Sequence, residues 1–126
     1  DQGFLAGVGN YLRSEILFAA RLHPDRRPRD LGPDERLAFA TAARQVSRRA
    51  YRQAGVTVGP ESFRRHLGRG EGRETARFAV FARAGGACRD CGARVERVER
   101  GSRRLYLCRA CQPAAGSRAR ACGARA

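Results

Sequence analysis

Two C-x-x-C pairs near the end of this 126-residue chain constrain its fold more than any other feature. They lie in the stretch GACRDCGARVERVERGSRRLYLCRACQ, with sixteen residues between the pairs. A C-x-x-C turn lets two thiolates meet one ion, and a hairpin between the pairs brings the second turn to the same point. The spacing predicts one structural zinc ion in a closed tetrahedral shell of Cys88, Cys91, Cys108 and Cys111.

Paired cysteines also occur in redox-active C-x-x-C motifs and in iron sites. Both alternatives fit this chain less well, because no α/β pattern surrounds the pairs. The cysteine segment has little core-forming bulk, so we expect metal binding to supply the folding energy that burial does not. A fifth cysteine, Cys122, lies outside the ligand spacing and is interpreted as incidental.

Charge restricts the class of partner. The formal net charge is +14, and all 26 basic residues are arginines, since the sequence contains no lysine. Such a balance favours a polyanion, either nucleic acid or an anionic membrane surface. The absence of any apolar run of about 18 residues argues against a membrane span. A GC-rich genome would also enrich arginine, whose planar fork suits phosphate oxygens.

The stretch DQGFLAGVGNYLRSEILFAARLHP predicts a helix, a tight glycine hairpin at Gly7 and Gly9, and a second helix capped by Asn10. A long helix is expected to begin at Pro33 and to end near Gly55. Its apolar stripe is predicted to consist of Phe39, Ala43, Val46 and Ala50.

The second half of the chain predicts smaller elements. Residues 55–76 indicate a connector with one helical turn around Pro60–Leu67, and ARFAVFARAGG indicates a short strand. Residues 93–99 and 103–107 predict a hairpin that turns near Gly101-Ser102. We therefore expect a mainly α helix-two-turns-helix domain with its connector (1–76), a β-hairpin zinc finger with four cysteine ligands (77–112) and a disordered tail (113–126).

Two stretches are candidates for phosphate contact. The turn in AGVGNYLRSE would feed a helix N-terminus, where free N–H groups attract an anion, although many such turns only join two helices. The hairpin carries five arginines that form either a solvated face or a phosphate-contacting finger, and the net charge favours the finger. They are Arg94, Arg97, Arg100, Arg103 and Arg104.

These motifs together resemble the C-terminal half of formamidopyrimidine-DNA glycosylase/endonuclease VIII (Fpg/Nei) family proteins. DQGFLAGVGNYLRSEIL is similar to the helix-two-turns-helix signature, and CRDCG…RRLYLCRACQ is similar to the finger that ends in CQ; the resemblance covers roughly residues 1–112. GNYLRSEIL resembles the endonuclease VIII branch, since the other branch usually reads GNIYADE.

The resemblance implies base-excision repair of damaged double-stranded DNA, with base flipping, glycosidic cleavage and β,δ-elimination through a Schiff base. Members similar to endonuclease VIII prefer oxidised pyrimidines. Matching residues in the family hold phosphates beside the lesion, which implies DNA contacts for Gly7, Val8, Gly9, Asn10 and Arg103. A monomer acting in the bacterial cytoplasm, associated with the nucleoid, is implied as well.

The chain departs from the family pattern in its catalytic residues. The family nucleophile is an N-terminal proline amine followed by a glutamate, with a lysine further along, whereas this chain opens on Asp1 and has no lysine. We therefore expect the catalytic residues to lie outside this sequence and the chain alone to be inactive. Glu15, His23 and His66 have no catalytic partners in the sequence and are interpreted as structural or solvated.

A non-enzymatic nucleic-acid-binding module is the alternative function. A ribosomal protein family also has a helix-two-turns-helix, and basic four-cysteine ribbons are common in ribosomal proteins. The upstream reading frame would discriminate the two functions, because an enzyme requires a Pro-Glu N-terminus there.

Overall fold

The computed structural model describes the backbone of residues 2–114 and the side chains of residues 11–114. The helices come first and an antiparallel hairpin follows, which confirms the predicted fold class. Residues 115–126, which include Cys122 and most of the predicted tail, lie outside the described residues. The elements are α1 (Gln2–Ala20), α2 (Pro33–Arg52), α3 (Pro60–Gly68), α4 (Arg73–Ala76), β1 (Val95–Arg100) and β2 (Arg103–Cys108), with a 3-10 turn at Pro28–Asp30.

Helix α1 runs through the predicted glycine hairpin without interruption. The expected turn at Gly7 and Gly9 is therefore wrong for this structure, where both residues lie inside Gln2–Ala20. A glycine inside a helix costs about 1 kcal/mol relative to alanine, a small penalty beside the backbone hydrogen bonds that an unbroken helix keeps. The helix ends where Arg21 takes a positive φ of 62° and the Leu22 amide donates to the Leu17 carbonyl at 3.0 Å.

Helix α2 begins and ends close to the predicted positions. Pro33 occupies the first turn, and the Glu35 carboxylate accepts a hydrogen bond from the Gly32 amide at 3.0 Å. This contact satisfies one of the free amides at a helix N-terminus. At the other end Ala54 and Gly55 both have positive φ, and the Gly55 amide donates to the Ala50 carbonyl at 2.8 Å.

The buried face of α2 differs from the predicted stripe. Val46 and Ala50 are buried as expected, but Phe39 is 40% exposed and Ala42 takes the place predicted for its neighbour Ala43. The buried residues Ala42, Val46 and Ala50 are each four residues apart, so they form one continuous row along a side of the helix. Ala42 packs against the end of α1 in a cluster with Ala20 and Leu22.

The segment predicted as a connector is more ordered than expected. Its single helical turn is a nine-residue helix, α3, and α4 follows after a short turn. The strand predicted in ARFAVFARAGG is wrong, since residues 77–86 form turns. The amides of Ala79, Val80 and Phe81 do not pair with a strand, because the Glu15 carboxylate accepts hydrogen bonds from them at 2.8, 2.8 and 3.0 Å.

The predicted hairpin is confirmed. Strands β1 and β2 pair antiparallel, with Arg100 opposite Arg103 and a two-residue turn at Gly101-Ser102. Gly101 has a φ of 65°, a conformation that two-residue hairpin turns require and glycine adopts without strain. Leu105 and Leu107 are buried on one face of the hairpin, and Val95, which pairs with Cys108, is buried on the other face.

Helix α1 packs against both α2 and β2, so it lies between the other long helix and the hairpin. Phe18 belongs to the same buried cluster as Val80 and Val95. The buried Ser14 hydroxyl accepts a hydrogen bond from the Tyr106 amide of β2 at 3.1 Å. These contacts hold the hairpin against the helical part in a fixed position, which decides where its tip and its cysteines lie.

Candidate metal centre and nucleic-acid interface

The structure brings together all four cysteines predicted as ligands. Their Sγ atoms lie within 4.8 Å of one another, and three of the four residues are buried. Cys91 Sγ is 3.5 Å from Cys108 Sγ and 3.6 Å from Cys111 Sγ, and Cys88 Sγ is 3.7 Å from Cys111 Sγ. Ligands at metal–sulfur distances of about 2.3 Å stand about 3.8 Å apart at the corners of a tetrahedron. The cluster therefore fits a single tetrahedral metal ion.

Backbone amides support the sulfur atoms of the first C-x-x-C turn. The Asp90 amide donates to Cys88 Sγ at 3.4 Å and the Ala93 amide donates to Cys91 Sγ at 3.5 Å. Burial alone would raise the pKa of the Cys91 thiol, but the Ala93 amide and the neighbouring thiols outweigh it and the pKa is lowered. Partial positive charges directed at sulfur favour the thiolate, which is the form that binds a metal.

The second C-x-x-C turn is more deeply buried. Burial raises the pKa of the Cys108 thiol to about 12. A metal ion reverses this effect, because its charge deprotonates a coordinating thiol. Gln112, which has no exposed surface, accepts from the Cys108 amide at 3.0 Å and donates to the Leu22 carbonyl at 2.9 Å. It joins this turn to the end of α1.

The two residues inside the first C-x-x-C turn attach the metal centre to the helical part. The Arg89 guanidinium donates to both Glu71 carboxylate oxygens, at 3.0 and 3.2 Å, and to the backbone carbonyls of Thr75 and Phe78. Asp90 accepts from Arg21 at 2.6 Å, just after α1. The role of these two residues is not visible in the sequence C-R-D-C. Their charged partners, Glu71 and Arg21, are 18 and 69 positions away.

The five arginines of the hairpin separate into different roles. Arg100 forms a bidentate ion pair with Asp25 at 2.6 and 2.8 Å, and Arg104 lies opposite Glu99. Arg97 lies opposite Tyr106 across the strands rather than opposite Arg103. The Arg103 side chain is exposed at the start of β2 and has no hydrogen bond or ion pair within the described residues. Its guanidinium is available to an external anion.

Arg103 lines a groove of about 760 Å³ between the hairpin tip, α1 and the start of α2. The groove has an apolar floor that includes Leu12 and Ile16, and four further arginines stand along it. One of them, Arg13, was not a sequence candidate, although it follows Asn10 by about one helical turn and residues three apart share a helix face. The other arginines are Arg26, Arg29 and Arg36.

The remaining candidate DNA contacts lie in the first half of α1. Gly7, Val8, Gly9 and Asn10 are helical, and their side chains are outside the described part of the chain. Their contacts with phosphate stay predictions. Arg13, the first exposed residue after them with a described side chain, places a guanidinium on the same helix.

Three residues interpreted as structural have contacts of that kind. Glu15 is 3% exposed and, besides the three amides, accepts a hydrogen bond from the Thr57 hydroxyl. His23 Nδ1 accepts from the Asp25 amide at 3.1 Å, and burial lowers the pKa of the imidazole. His66 Nδ1 lies 3.1 Å from Glu71 Oε2, and burial lowers the pKa of the His66 imidazole as well.

The fold and the site define a class of protein: a basic α-helical domain joined rigidly to a hairpin that can hold a four-cysteine metal ion. No protein-family model matches the chain. A formamidopyrimidine-DNA glycosylase from Heliobacterium modesticaldum is 37% identical over 115 residues, and an endonuclease 8 from Enterobacter sp. is 38% identical over 112 residues. Each match covers 89% of this chain and 39% of the relative.

The solved structures agree with these sequence relatives. The MutM (Fpg) protein from Thermus thermophilus is 32% identical, with a TM-score of 0.67 over 84% of this chain and 40% of its own. A Lactococcus lactis Fpg in complex with DNA that contains FAPY-dG has a TM-score of 0.66 at 23% identity, which supports the fold alone. The chain belongs to the formamidopyrimidine-DNA glycosylase/endonuclease VIII family and spans about two fifths of the length of these relatives.

Sequence identity does not separate the two branches of the family, because the chain is 37% identical to the formamidopyrimidine-DNA glycosylase and 38% identical to the endonuclease 8. The endonuclease VIII-like branch, suggested by GNYLRSEIL, therefore stays a prediction. In the described part of the chain, no helix has the length and apolar character needed to cross a membrane.

Proposed function

We propose that this chain is the DNA-binding C-terminal part of a bifunctional DNA glycosylase/AP lyase that excises oxidised bases, with pyrimidines preferred, in base-excision repair. The observation that carries the proposal is the similarity to two kinds of repair glycosylase across 89% of the chain. Because the reported relatives are glycosylases, the non-enzymatic binding module is not favoured. A monomer acting at the nucleoid in the bacterial cytoplasm belongs to the same proposal.

Zinc is the metal proposed for the four-cysteine site. A set of four sulfur ligands at tetrahedral spacing is typical of structural zinc, and a closed shell leaves no position for a catalytic water. The ion holds the two C-x-x-C turns together and so keeps the hairpin folded. Cys88, Cys91, Cys108 and Cys111 are the proposed ligands.

The metal assignment is tested by Cys108→Ala. We expect the variant to lose stoichiometric zinc, measured by atomic emission, and to become sensitive to protease within the hairpin, because the site supplies folding energy. A matched exposed substitution, Arg94→Ala, is expected to keep both the metal and the resistance. A Cys108→Ala chain that kept zinc and a resistant hairpin would contradict the closed site.

In the proposed complex, Arg103 binds one phosphate of the duplex from the hairpin tip. Gly7, Val8, Gly9 and Asn10 are proposed to contact other phosphates from α1. Arg13 and Arg103 share one groove, which supports a continuous basic surface between the two sets. Arginine suits this task because its planar fork matches phosphate oxygens.

DNA binding is tested by fluorescence anisotropy of a labelled duplex oligonucleotide at several salt concentrations. Arg103→Ala should weaken binding and lower the slope of log K against log salt by about 0.9, the value for one phosphate contact. Arg27→Ala is the control, because Arg27 is also exposed but already pairs with Asp30 at 3.1 Å. Equal affinity and slope for wild type and Arg103→Ala would remove this residue from the interface.

Catalysis requires groups that this sequence does not offer, since it contains no lysine and its five prolines are internal. We propose that the nucleophilic amine belongs to a separate N-terminal domain. The test joins this chain to an N-terminal domain that begins Pro-Glu and traps the Schiff base with borohydride on DNA containing thymine glycol. A covalent adduct is expected, and its absence would count against the enzyme.

A further inference from the structure

Helix α2 carries a row of arginines on the side that faces away from the core. Arg44, Arg48 and Arg52 are four residues apart and all are exposed. Residues at this spacing lie on one side of a helix, and each step advances about 6 Å along the axis. We call these three residues the α2 ridge.

No group among residues 11–114 neutralises the α2 ridge. Within the described residues, none of its three guanidinium groups has a hydrogen bond or an ion pair. Arg21, Arg89 and Arg100, in contrast, each contact a carboxylate. Like charges four residues apart destabilise a helix by about 0.2–0.5 kcal/mol per pair, so the row does not serve the stability of α2.

The ridge borders a groove of about 620 Å³ that has a polar lining. No carboxylate contributes to that lining, which consists of Thr41, Arg44, Gln45, Arg48, Arg49, Arg52 and Gln53. Arg49 is held by the protein, because it donates to the Thr57 carbonyl at 2.9 Å. The three ridge arginines are therefore the cations left for a ligand, and Tyr51 beside them is 89% exposed.

This groove is separate from the one that contains Arg103. The two cavities share no lining residue, although α2 contributes to both, through Arg36 and Phe39 in one case and the ridge in the other. A ligand at the ridge would consequently extend the surface proposed above and would not replace it.

We propose that the α2 ridge binds the sugar–phosphate backbone of duplex DNA as a second contact, beyond the hairpin and α1. This inference rests on the proposed DNA-binding function. The chemistry favours nucleic acid over an acidic protein, because protein interfaces depend on buried apolar or aromatic anchors and this groove is lined by polar side chains. Contacts to DNA backbone are mainly polar and independent of sequence.

The test uses the zinc-loaded chain and the triple variant R44Q/R48Q/R52Q. Three phosphate contacts correspond to a loss of about 2.7 in the salt slope of duplex binding, so we expect a decrease of about 2 to 3. The matched control is R64Q/R65Q/R69Q, which removes the same charge from exposed positions in and just after α3. Circular dichroism checks that both variants keep their helices.

Three outcomes would overturn the proposal that the α2 ridge binds DNA. If both triple variants lower the slope equally, net charge and not the ridge explains the change. If the α2 variant keeps the wild-type slope while Arg103→Ala lowers it, the α2 ridge does not bind DNA and the proposed function stands. If wild type does not bind duplex DNA at all, both proposals fail. Polyglutamate is a further probe: loss of its binding with unchanged DNA binding would assign the ridge to an acidic protein.

Discussion

Glu15 organises the segment between α4 and the hairpin through a single buried carboxylate. It accepts hydrogen bonds from three consecutive amides, Ala79, Val80 and Phe81, and from the Thr57 hydroxyl. An ionised carboxylate can accept all four because both of its oxygens are acceptors. These three amides therefore need no strand partner.

Glu15→Gln is expected to destabilise the fold by about 2–3 kcal/mol, because the new amide group presents a donor to at least one backbone N–H that then loses its acceptor. Urea unfolding of the zinc-loaded chain measures the effect. Glu99→Gln, an exposed substitution of the same kind in β1, should change the free energy of unfolding by less than about 0.5 kcal/mol. Equal effects of the two substitutions would show that the amides do not depend on Glu15.

Glu71 makes a pH-dependent contribution to the link between the helices and the metal centre. Hydrogen bonds from Arg89 hold the pKa of the Glu71 carboxyl below its ordinary value. A lowered folded-state pKa contributes stability that is present above the ordinary value of 4.5 and is lost as the pH falls through the folded pKa. The Arg89 side chain is only 9% exposed, and Glu71 is the carboxylate that pairs with it.

We expect Glu71→Gln to destabilise the chain by about 1–2 kcal/mol at neutral pH and by less as the pH falls below 4.5. The difference between the unfolding midpoints of wild type and variant, measured at each pH, removes any effect of metal loss common to both. Glu74→Gln serves as control, because its side chain is 78% exposed. If the difference in stability between wild type and Glu71→Gln grew as the pH fell, this prediction would be wrong.

At the scale of the elements, the end of α2 carries local strain. Ala54 has a φ of 53°, a left-handed conformation that costs a residue with a Cβ about 1–2 kcal/mol. The next residue, Gly55, also has a positive φ, and a Cβ there would lie 2.8 Å from the Arg77 guanidinium. The chain has glycine at the position where a Cβ would be crowded and alanine at the position before it.

Ala54→Gly should stabilise the fold by about 0.5–1 kcal/mol, since the strain removed exceeds the extra entropy of glycine in the unfolded chain. The same substitution inside the helix, Ala40→Gly, should destabilise it by about 1 kcal/mol at an exposed position. Thermal unfolding followed by circular dichroism compares the pair. Two changes of the same sign would refute the assignment of strain to Ala54.

At the scale of the whole molecule, the metal centre and the helices share their core. Phe18 of α1 packs in the cluster that contains Cys88, Cys108 and Cys111. A chain of aromatic contacts continues the connection, with ring centroids 4.9–5.1 Å apart between consecutive members. Its members are Tyr11, Phe78, Phe81 and Tyr106. The division into a helical domain and a finger, predicted near residue 76, is therefore open to a direct test.

Removal of the metal with a chelator should lower the unfolding temperature of the helices as well as that of the hairpin. The reason is that Phe18 and Ser14 lose their partners in the hairpin, and Leu22 loses Gln112, when the cysteine turns separate. Circular dichroism at about 222 nm reports the helices, with the zinc-loaded chain as control. Helices that melted at an unchanged temperature would instead support two independent domains.

Much of the site followed from sequence because its chemistry is local. The C-x-x-C spacing identifies the four metal ligands, Gly101-Ser102 identifies the hairpin turn, and Pro33 with Glu35 identifies the start of α2. Each of these depends on residues within a few positions, where backbone geometry leaves few alternatives. The glycine pattern failed as a turn signal since the same residues also fit inside a helix at a small cost.

The sequence by itself determined the cysteine cluster, the hairpin and the strongly basic character of the chain, because these depend on local spacing and on composition. Only the tertiary structure decided which arginines are neutralised and which are free. Arg100 meets Asp25 and Arg21 meets Asp90 across 75 and 69 positions, whereas Arg103 and the α2 ridge meet no carboxylate within the described residues. Charge is a property of each residue, but its neutralisation requires a partner that folding brings near.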